Sequence, residues 1–202
     1  MKQPGPSLDR LIEFQKFLLP FHHIERVIAL KHQERRESDT EHSFSLALIA
    51  WFISAHYPNL DSSRIVMLAL AHDIVEIYAG DTFFYGEQSL LDSKAERELA
   101  ALNQIKQEWP DFKDLTDAIE EYEARKTSEA KFVYALDKVQ PMMMVLLAEG
   151  KTWQEEHITL DEMYKRKIDK VSLSDEVLPY FEEFVTFLSK NDQLFQGKVT
   201  KK

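Results

Sequence analysis

The chain contains no cysteine, which excludes disulfides, thiolate metal sites and a cysteine nucleophile. That absence agrees with a reducing compartment. Glycine is scarce, five in 202 residues, and no alternating apolar and polar run is long enough to predict a strand. No apolar stretch reaches the roughly 18–20 uncharged residues of a membrane span. The opening Met-Lys-Gln-Pro-Gly-Pro-Ser lacks the apolar core of a signal peptide. An excess of basic charge is also missing. The net charge of -10 argues against nucleic-acid backbone binding, which needs a basic stripe. A small anion held by a metal cation and one or two local Arg or Lys stays open. These absences give a soluble, cytoplasmic, all-α protein. It is expected to form one domain over residues 1–202, with a core at about 8–190 and a flexible tail at 191–202.

Helix signals are plentiful. Ser7 is placed to cap a first helix running to about Leu19, and a short second helix is expected from Ile24 to Leu30. Ser38 and Glu41 have capping-box spacing and open an apolar helix ended by Tyr57-Pro58-Asn59. Asp61 caps the next helix and Gly80 stops it. Further helices are expected from Asp92 or Ser93 to Trp109, from Asp111 to Lys126 and from Ser128 toward Ala148, with a kink at Pro141. Thr152 and Glu155 suggest a second capping box, and a last helix covers about Asp175 to Ser189.

Ionisable residues stand where these apolar helices should bury core residues. His72-Asp73 ends the run Ile65-Val66-Met67-Leu68-Ala69-Leu70-Ala71. A buried, uncompensated carboxylate costs several kcal/mol or more, and a metal ion compensates a His and an Asp together. His42 lies in the first turn of the preceding helix, and antiparallel packing brings it to His72-Asp73. Asp137 follows Phe132-Val133-Tyr134-Ala135-Leu136 on a third apolar helix. Two imidazoles and two carboxylates suit a divalent Mn, Fe, Co, Ni or Zn with positions left for water. Each residue alone also has an ordinary reading, as a hydrogen-bonded core His or a capping Asp. Glu76, four residues after His72, is either a general acid/base or a carboxylate that orients the His72 ring. Asp81 either reaches the site from a loop or caps the next element.

In order and spacing, Glu41-His42-Ser43-Phe44, Ala71-His72-Asp73-Ile74-Val75-Glu76 with Gly80-Asp81, Glu121-Tyr122-Glu123, Glu129-Ala130-Lys131-Phe132-Val133 and Leu136-Asp137-Lys138 resemble the HD superfamily of metal-dependent phosphohydrolases. The resemblance covers residues 20 to 150 and lies closest to the 5′-deoxynucleotidase branch. It implies an HD-domain helical bundle with a buried divalent metal held by His42, His72, Asp73 and Asp137. It implies that Glu76 and Asp81 act on substrate and water, and that Arg26 holds the substrate phosphate. Arg35 and Arg36 are alternatives to Arg26. The family often has Trp after this Arg, where the chain has Val27. Lys138 either reaches the phosphate or tunes Asp137. Phe83-Phe84-Tyr85 either forms a wall for a nucleobase or simply packs. His22, His23, His32, His56 and His157 fit no ligand spacing. The substrate implied is a deoxyribonucleoside 5′-monophosphate, and the assembly implied is a homodimer; the amphipathic helices at 92–109 and 175–189 are the two candidate interfaces, and nothing in the sequence chooses between them. A guanosine tetraphosphate hydrolase of the same superfamily is disfavoured because Ile77 follows Glu76 where those enzymes have Asp. A non-catalytic helical binding protein is the rival from another class.

Overall fold

Three of the capping signals set the frame of the protein, which a computed structural model describes over residues 5–31 and 33–196. Residues 1–4, His32 and residues 197–202 lie outside the described residues. The Ser7 hydroxyl accepts from the Arg10 N–H at 3.2 Å and opens α1, Leu8–Leu18. A short 3-10 turn, Leu19–His23, comes next. The Ser38–Glu41 box closes completely around the start of α2, Asp39–Ser54. Ser38 Oγ accepts from the Glu41 N–H at 3.3 Å, and the Glu41 carboxylate accepts from the Ser38 N–H at 3.0 Å. Arg35 holds that carboxylate from outside at 2.5 and 2.7 Å. Asp61 accepts from the N–H groups of Ser63 and Arg64 at 2.9 and 3.1 Å and starts α3, Ser62–Ala71.

α2 and α3 are antiparallel. The Ser54 and Ser62 hydroxyls meet at 2.9 Å at one end, and the His42 and His72 rings lie 5.4 Å apart at the other. A turn over 72–75 leads to the single-turn α4, Glu76–Ala79, stopped by Gly80 at φ 72°. Then come α5, Gln88–Glu108, α6, Lys113–Ala124, and α7, Ser128–Leu147. The chain ends in α8, Lys151–Glu155, α9, Leu160–Val171, α10, Leu178–Ser189, and a 3-10 turn, Asp192–Phe195. α7 is the axis of the core, touching α2, α3, α6 and α9. Its Phe132, Leu136 and Met142 are at most 1% exposed and meet Leu46, Leu68 and Ile119 in one apolar cluster. Emptying one such large side chain costs about 2–5 kcal/mol, so the helix that carries Asp137 is held rigidly.

Several sequence expectations are corrected. Residues 24–30 are not a helix. Glu25–Ala29 is a strand, β1, paired antiparallel with β2, Arg36–Ser38, through an irregular register. The β-branched pair Val27-Ile28 favours it, and the all-α bundle therefore carries one small hairpin. α3 ends at Ala71, so His72 and Asp73 sit in the turn rather than inside the helix. α5 starts at Gln88, earlier than Asp92 or Ser93. Thr127, not Ser128, caps α7, accepting from the Ala130 N–H at 3.2 Å. The helix continues through Pro141 to Leu147. Thr152 caps nothing; it lies within α8 and its hydroxyl accepts from the Ala29 N–H at 3.0 Å. α9 is an additional helix beyond those expected, and α10 begins at Leu178. Of the expected tail, Asp192–Phe195 is docked, with Phe195 stacked on Trp153 at 4.8 Å.

The outward face of α2 is as apolar as its inward one. Phe44, Leu48, Trp51 and Phe52 are 60, 47, 56 and 73% exposed, and Met67 and Leu70 are exposed on neighbouring α3.

Candidate metal centre and pocket

Three buried elements bring four donor groups to one point. α2 presents His42, the turn after α3 presents His72 and Asp73, and α7 presents Asp137. His42 Nε2 lies 3.0 Å from Asp137 Oδ1 and 3.8 Å from Asp73 Oδ2. His72 Nε2 lies 3.0 Å from Asp73 Oδ2 and 3.8 Å from Asp137 Oδ1. Donors held about 2.1 Å from one ion stand about 3.0 Å apart at right angles, so these spacings match a shared coordination sphere. Both imidazoles are at most 2% exposed.

Each ring is turned by a hydrogen bond on its far side. His42 Nδ1 meets Gln140 Oε1 at 3.0 Å, and His72 Nδ1 meets the Ala69 carbonyl at 2.9 Å. Both partners are acceptors, so each Nδ1 carries the proton and each Nε2 lone pair faces the cluster. His72 Nε2 has no hydrogen-bond partner among the described residues. The residues present therefore fit a divalent cation. Burial and the Arg26 guanidinium push His42 down to about 4, so it is neutral and ligand-competent near neutral pH. Burial opposes the ionisation of Asp73 and Asp137, yet both are lowered, Asp73 by His72 and Arg26, Asp137 by Lys138 and His42. His72 is raised, since Asp73 outweighs the cost of its burial. The Tyr122 hydroxyl donates to Asp137 Oδ2 at 3.0 Å, and the Lys138 ammonium lies 2.6 Å from the same oxygen.

Beside this cluster lies a second, purely acidic one. Asp39, Glu76 and Asp81 bring carboxylate oxygens within 4.8 Å of one another. Burial and the neighbouring carboxylates raise Glu76 well above its usual value, and burial raises Asp81. Asp39 is raised to about 6 by burial and by Asp73. Arg26, on β1, answers this crowding. Its Nη1 lies 3.1 Å from Asp73 and 3.2 Å from Asp39, and its Nε 3.7 Å from buried Glu37. Lys94 of α5 approaches Glu76 at 3.6 Å.

A pocket opens over both clusters, and Arg26, Asp73, Glu76, Asp81, Asp137 and Lys138 all line it. The eight residues singled out in the sequence are thus in one place. Arg35 and Arg36 are not; they are engaged with Glu41 and Glu155. Phe83, Phe84 and Tyr85 form part of the pocket wall. The Glu121-Tyr122-Glu123 motif divides its work. Tyr122 reaches Asp137, while Glu121 accepts from Arg64 at 2.7 and 2.8 Å and from Thr127 at 2.6 Å, tying α3 to α6. Sequence reasoning missed Gln140, Asp39, Lys94 and Lys167. Gln140 was within reach, because it sits three residues after Asp137 on the same helix face.

Comparison with known proteins agrees. Residues 21–177 match the HD domain family. Human 5′-deoxynucleotidase HDDC2 is 35% identical over 142 residues, 69% of this chain and 68% of that protein. The Bos taurus protein of that name is 28% identical over 171 residues, 83% of this chain and 81% of its own. The crystal structure of a protein from Magnetospirillum magnetotacticum MS-1, named a predicted metal-dependent phosphohydrolase, superposes with a TM-score of 0.77 at 30% identity, covering 93% of this chain and 96% of that one. A conserved hypothetical protein from Pyrococcus furiosus shares the fold, with a TM-score of 0.62 at 19% identity over 89% of this chain and 99% of its own. By its matched span, its relatives and its fold, the chain belongs to the HD-domain family of metal-dependent phosphohydrolases.

Proposed function

We propose that the protein hydrolyses deoxyribonucleoside 5′-monophosphates to the nucleoside and orthophosphate, with His42, His72, Asp73 and Asp137 holding a divalent metal. The observation that carries this reading is the convergence of those four donors, with Asp73 and Asp137 opening onto a pocket that also presents Arg26, Glu76, Asp81 and Lys138. The relatives named 5′-deoxynucleotidase support the choice of substrate. A divalent cation bound there supplies Lewis acidity and an activated water. Arg26 and Lys138 hold the phosphate oxygens by charge-assisted hydrogen bonds. Glu76, whose proton affinity is raised by burial and by its acidic neighbours, orients the attacking water and accepts its proton. As the new P–O bond forms, the bond to the 5′ oxygen breaks, and Asp81, also raised, gives its proton to the leaving oxygen. Mn, Co, Fe, Ni and Zn all suit this mixed imidazole and carboxylate set.

We also propose a cytoplasmic homodimer. Among the described residues no helix is long and apolar enough to cross a membrane, and the chain has no cysteine. A helix that is apolar all round is normally covered all round. The aromatic rings of Phe44, Trp51 and Phe52, each more than half exposed, present about 300 Å² between them. Leu48, Met67 and Leu70 extend that area toward the roughly 800 Å² per partner of a stable dimer. The α2–α3 face is therefore a better interface than 92–109 or 175–189.

Phosphate release from 5′-mono-, 3′-mono- and triphosphates of ribo- and deoxyribonucleosides, with Mn or Co added, tests the reaction. Release confined to 5′-monophosphates, faster for the deoxy series and abolished in Asp73→Ala, is expected. Metal-loaded protein that releases phosphate from none of them defeats the reading.

A further inference from the structure

Lys167 is a buried cation for which the reaction above has no use. It projects from α9, is 6% exposed and lines the same pocket as Arg26 and Lys138. Its ammonium donates to the Lys138 carbonyl at 2.7 Å. One of three N–H donors is thereby used. The N–H that Pro141 lacks would have answered the Asp137 carbonyl, four residues back, so the Lys138 carbonyl is not the one that proline leaves without a helical donor. Among the described residues no carboxylate pairs with Lys167. Lys170, one turn on, donates only to the Arg166 carbonyl at 3.0 Å. The ammonium groups of Lys138, Lys167 and Lys170 lie 5.9, 5.0 and 5.2 Å from the centre of the Phe84 ring, itself part of the pocket wall.

Capping a carbonyl needs an N–H but no charge; an amide would do it. Burying an ammonium without a counter-ion costs several kcal/mol; Lys138 is paired with Asp137 and Lys170 is only partly buried, so that cost falls on Lys167. Burial and the adjacent Lys138 push Lys167 down to about 7, the direction expected of a cation whose anion is elsewhere. An anionic ligand in the pocket removes that cost.

We propose that Lys167, with Lys170 beside it, forms a subsite for a second phosphate of the nucleotide. This rests on the hydrolysis of a nucleoside 5′-monophosphate ester proposed above. The phosphate cleaved is a monoester on the 5′ oxygen, and a deoxyribose has no 2′ hydroxyl. The second phosphate therefore sits on the 3′ oxygen, and the preferred substrates are deoxyribonucleoside 3′,5′-bisphosphates.

The test compares kcat/KM for a deoxynucleoside 5′-monophosphate and its 3′,5′-bisphosphate in wild type, Lys167→Gln, Lys167→Arg and Lys170→Met. Gln keeps a donor for the Lys138 carbonyl and removes the charge. A charge-assisted contact corresponds to about 10–100-fold, so wild type should favour the bisphosphate by at least about tenfold, chiefly through KM. Lys167→Gln should bring the ratio close to one, Lys167→Arg should restore it, and Lys170→Met should lower it. A wild-type ratio near one overturns the subsite. So does an equal loss on both substrates in Lys167→Gln, which makes Lys167 a positioning residue for the Asp137 turn. Calorimetric binding of 5′-phosphonate analogues, with methylene in place of the bridging oxygen, with and without a 3′-phosphate, reads the subsite without turnover. Tighter binding of the 3′-phosphorylated analogue with no release from either substrate keeps the subsite and sinks the hydrolysis reading. Equal binding sinks the subsite itself.

Discussion

Replacing Gln140 by Met should weaken metal binding without touching any of the four donor groups. Gln140 and His42 are 1% and 0% exposed, and the amide oxygen accepts the Nδ1 proton at 3.0 Å. Met preserves the length and apolar volume of the side chain, so packing changes little. The substitution carries two costs. The buried Nδ1–H loses its acceptor, worth about 1–3 kcal/mol. The ring also loses the partner that fixes its tautomer, and the loss of such outer partners lowers metal affinity about 10–100-fold, or about 1.4–2.7 kcal/mol. The first cost appears in the melting of chelator-treated protein, as a fall of about 2–4 °C per kcal/mol for a chain of this size. The second appears in a competition titration of Mn or Co against a fluorescent chelator. Gln140→Glu, which restores an acceptor, should recover most of the affinity. Unchanged Mn and Co affinity in Gln140→Met would refute the argument that the far side of His42 orders the near side.

Glu37 is fully buried and is raised to about 7 by its burial. The folded chain then holds a proton that the unfolded chain releases near 4.5, so metal-free stability should fall as pH rises from about 4.5 to about 7, by up to about 3 kcal/mol. Glu37→Gln should flatten that slope in urea melts taken across the pH range, and an unaltered slope counts against the assignment. Ser38→Ala removes the acceptor of the α2 capping box and should cost about 1 kcal/mol, seen as a lower melting temperature with the same metal stoichiometry. Trp51→Glu, on the exposed face of α2, should turn a dimer into a monomer in light scattering. A wild-type chain that is monomeric at every concentration would dispose of the interface instead.

The parts of the site legible in the sequence are those where polarity contradicts its surroundings. His72-Asp73 and Asp137 stand out because apolar residues precede them, and the capping box at Ser38 marks where α2 begins. The hairpin is not legible. Glu25–Ala29 is too short for alternation to speak, and its partner β2 has three residues. The start of α5 is misread because Asp92 and Ser93 are good caps in isolation, whereas Glu87 takes the extended backbone before the helix with no side-chain cap at all. Local spacing assigns Thr152 to a helix start, but the hydroxyl answers a strand N–H 123 residues away in sequence. Lys167 gives no signal, because an isolated Lys in the charged run Lys165-Arg166-Lys167 reads as a solvated face until α9 is seen to turn it inward.

The pocket joins two kinds of construction. Its floor is set by the 72–75 turn and α7, backed by α2 and braced by buried hydrogen bonds from His42 to Gln140 and from Tyr122 to Asp137. Part of its wall comes from the segment after Gly80, where Thr82, Phe83, Phe84 and Tyr85 succeed one another without helix or strand. A substitution in the floor disturbs packing, charge and donor geometry together. A substitution in the wall can reshape what is admitted while the chemistry below stays intact. Selection can therefore retune the preferences of this scaffold through one short segment, and relatives that keep the same floor can diverge in what they accept.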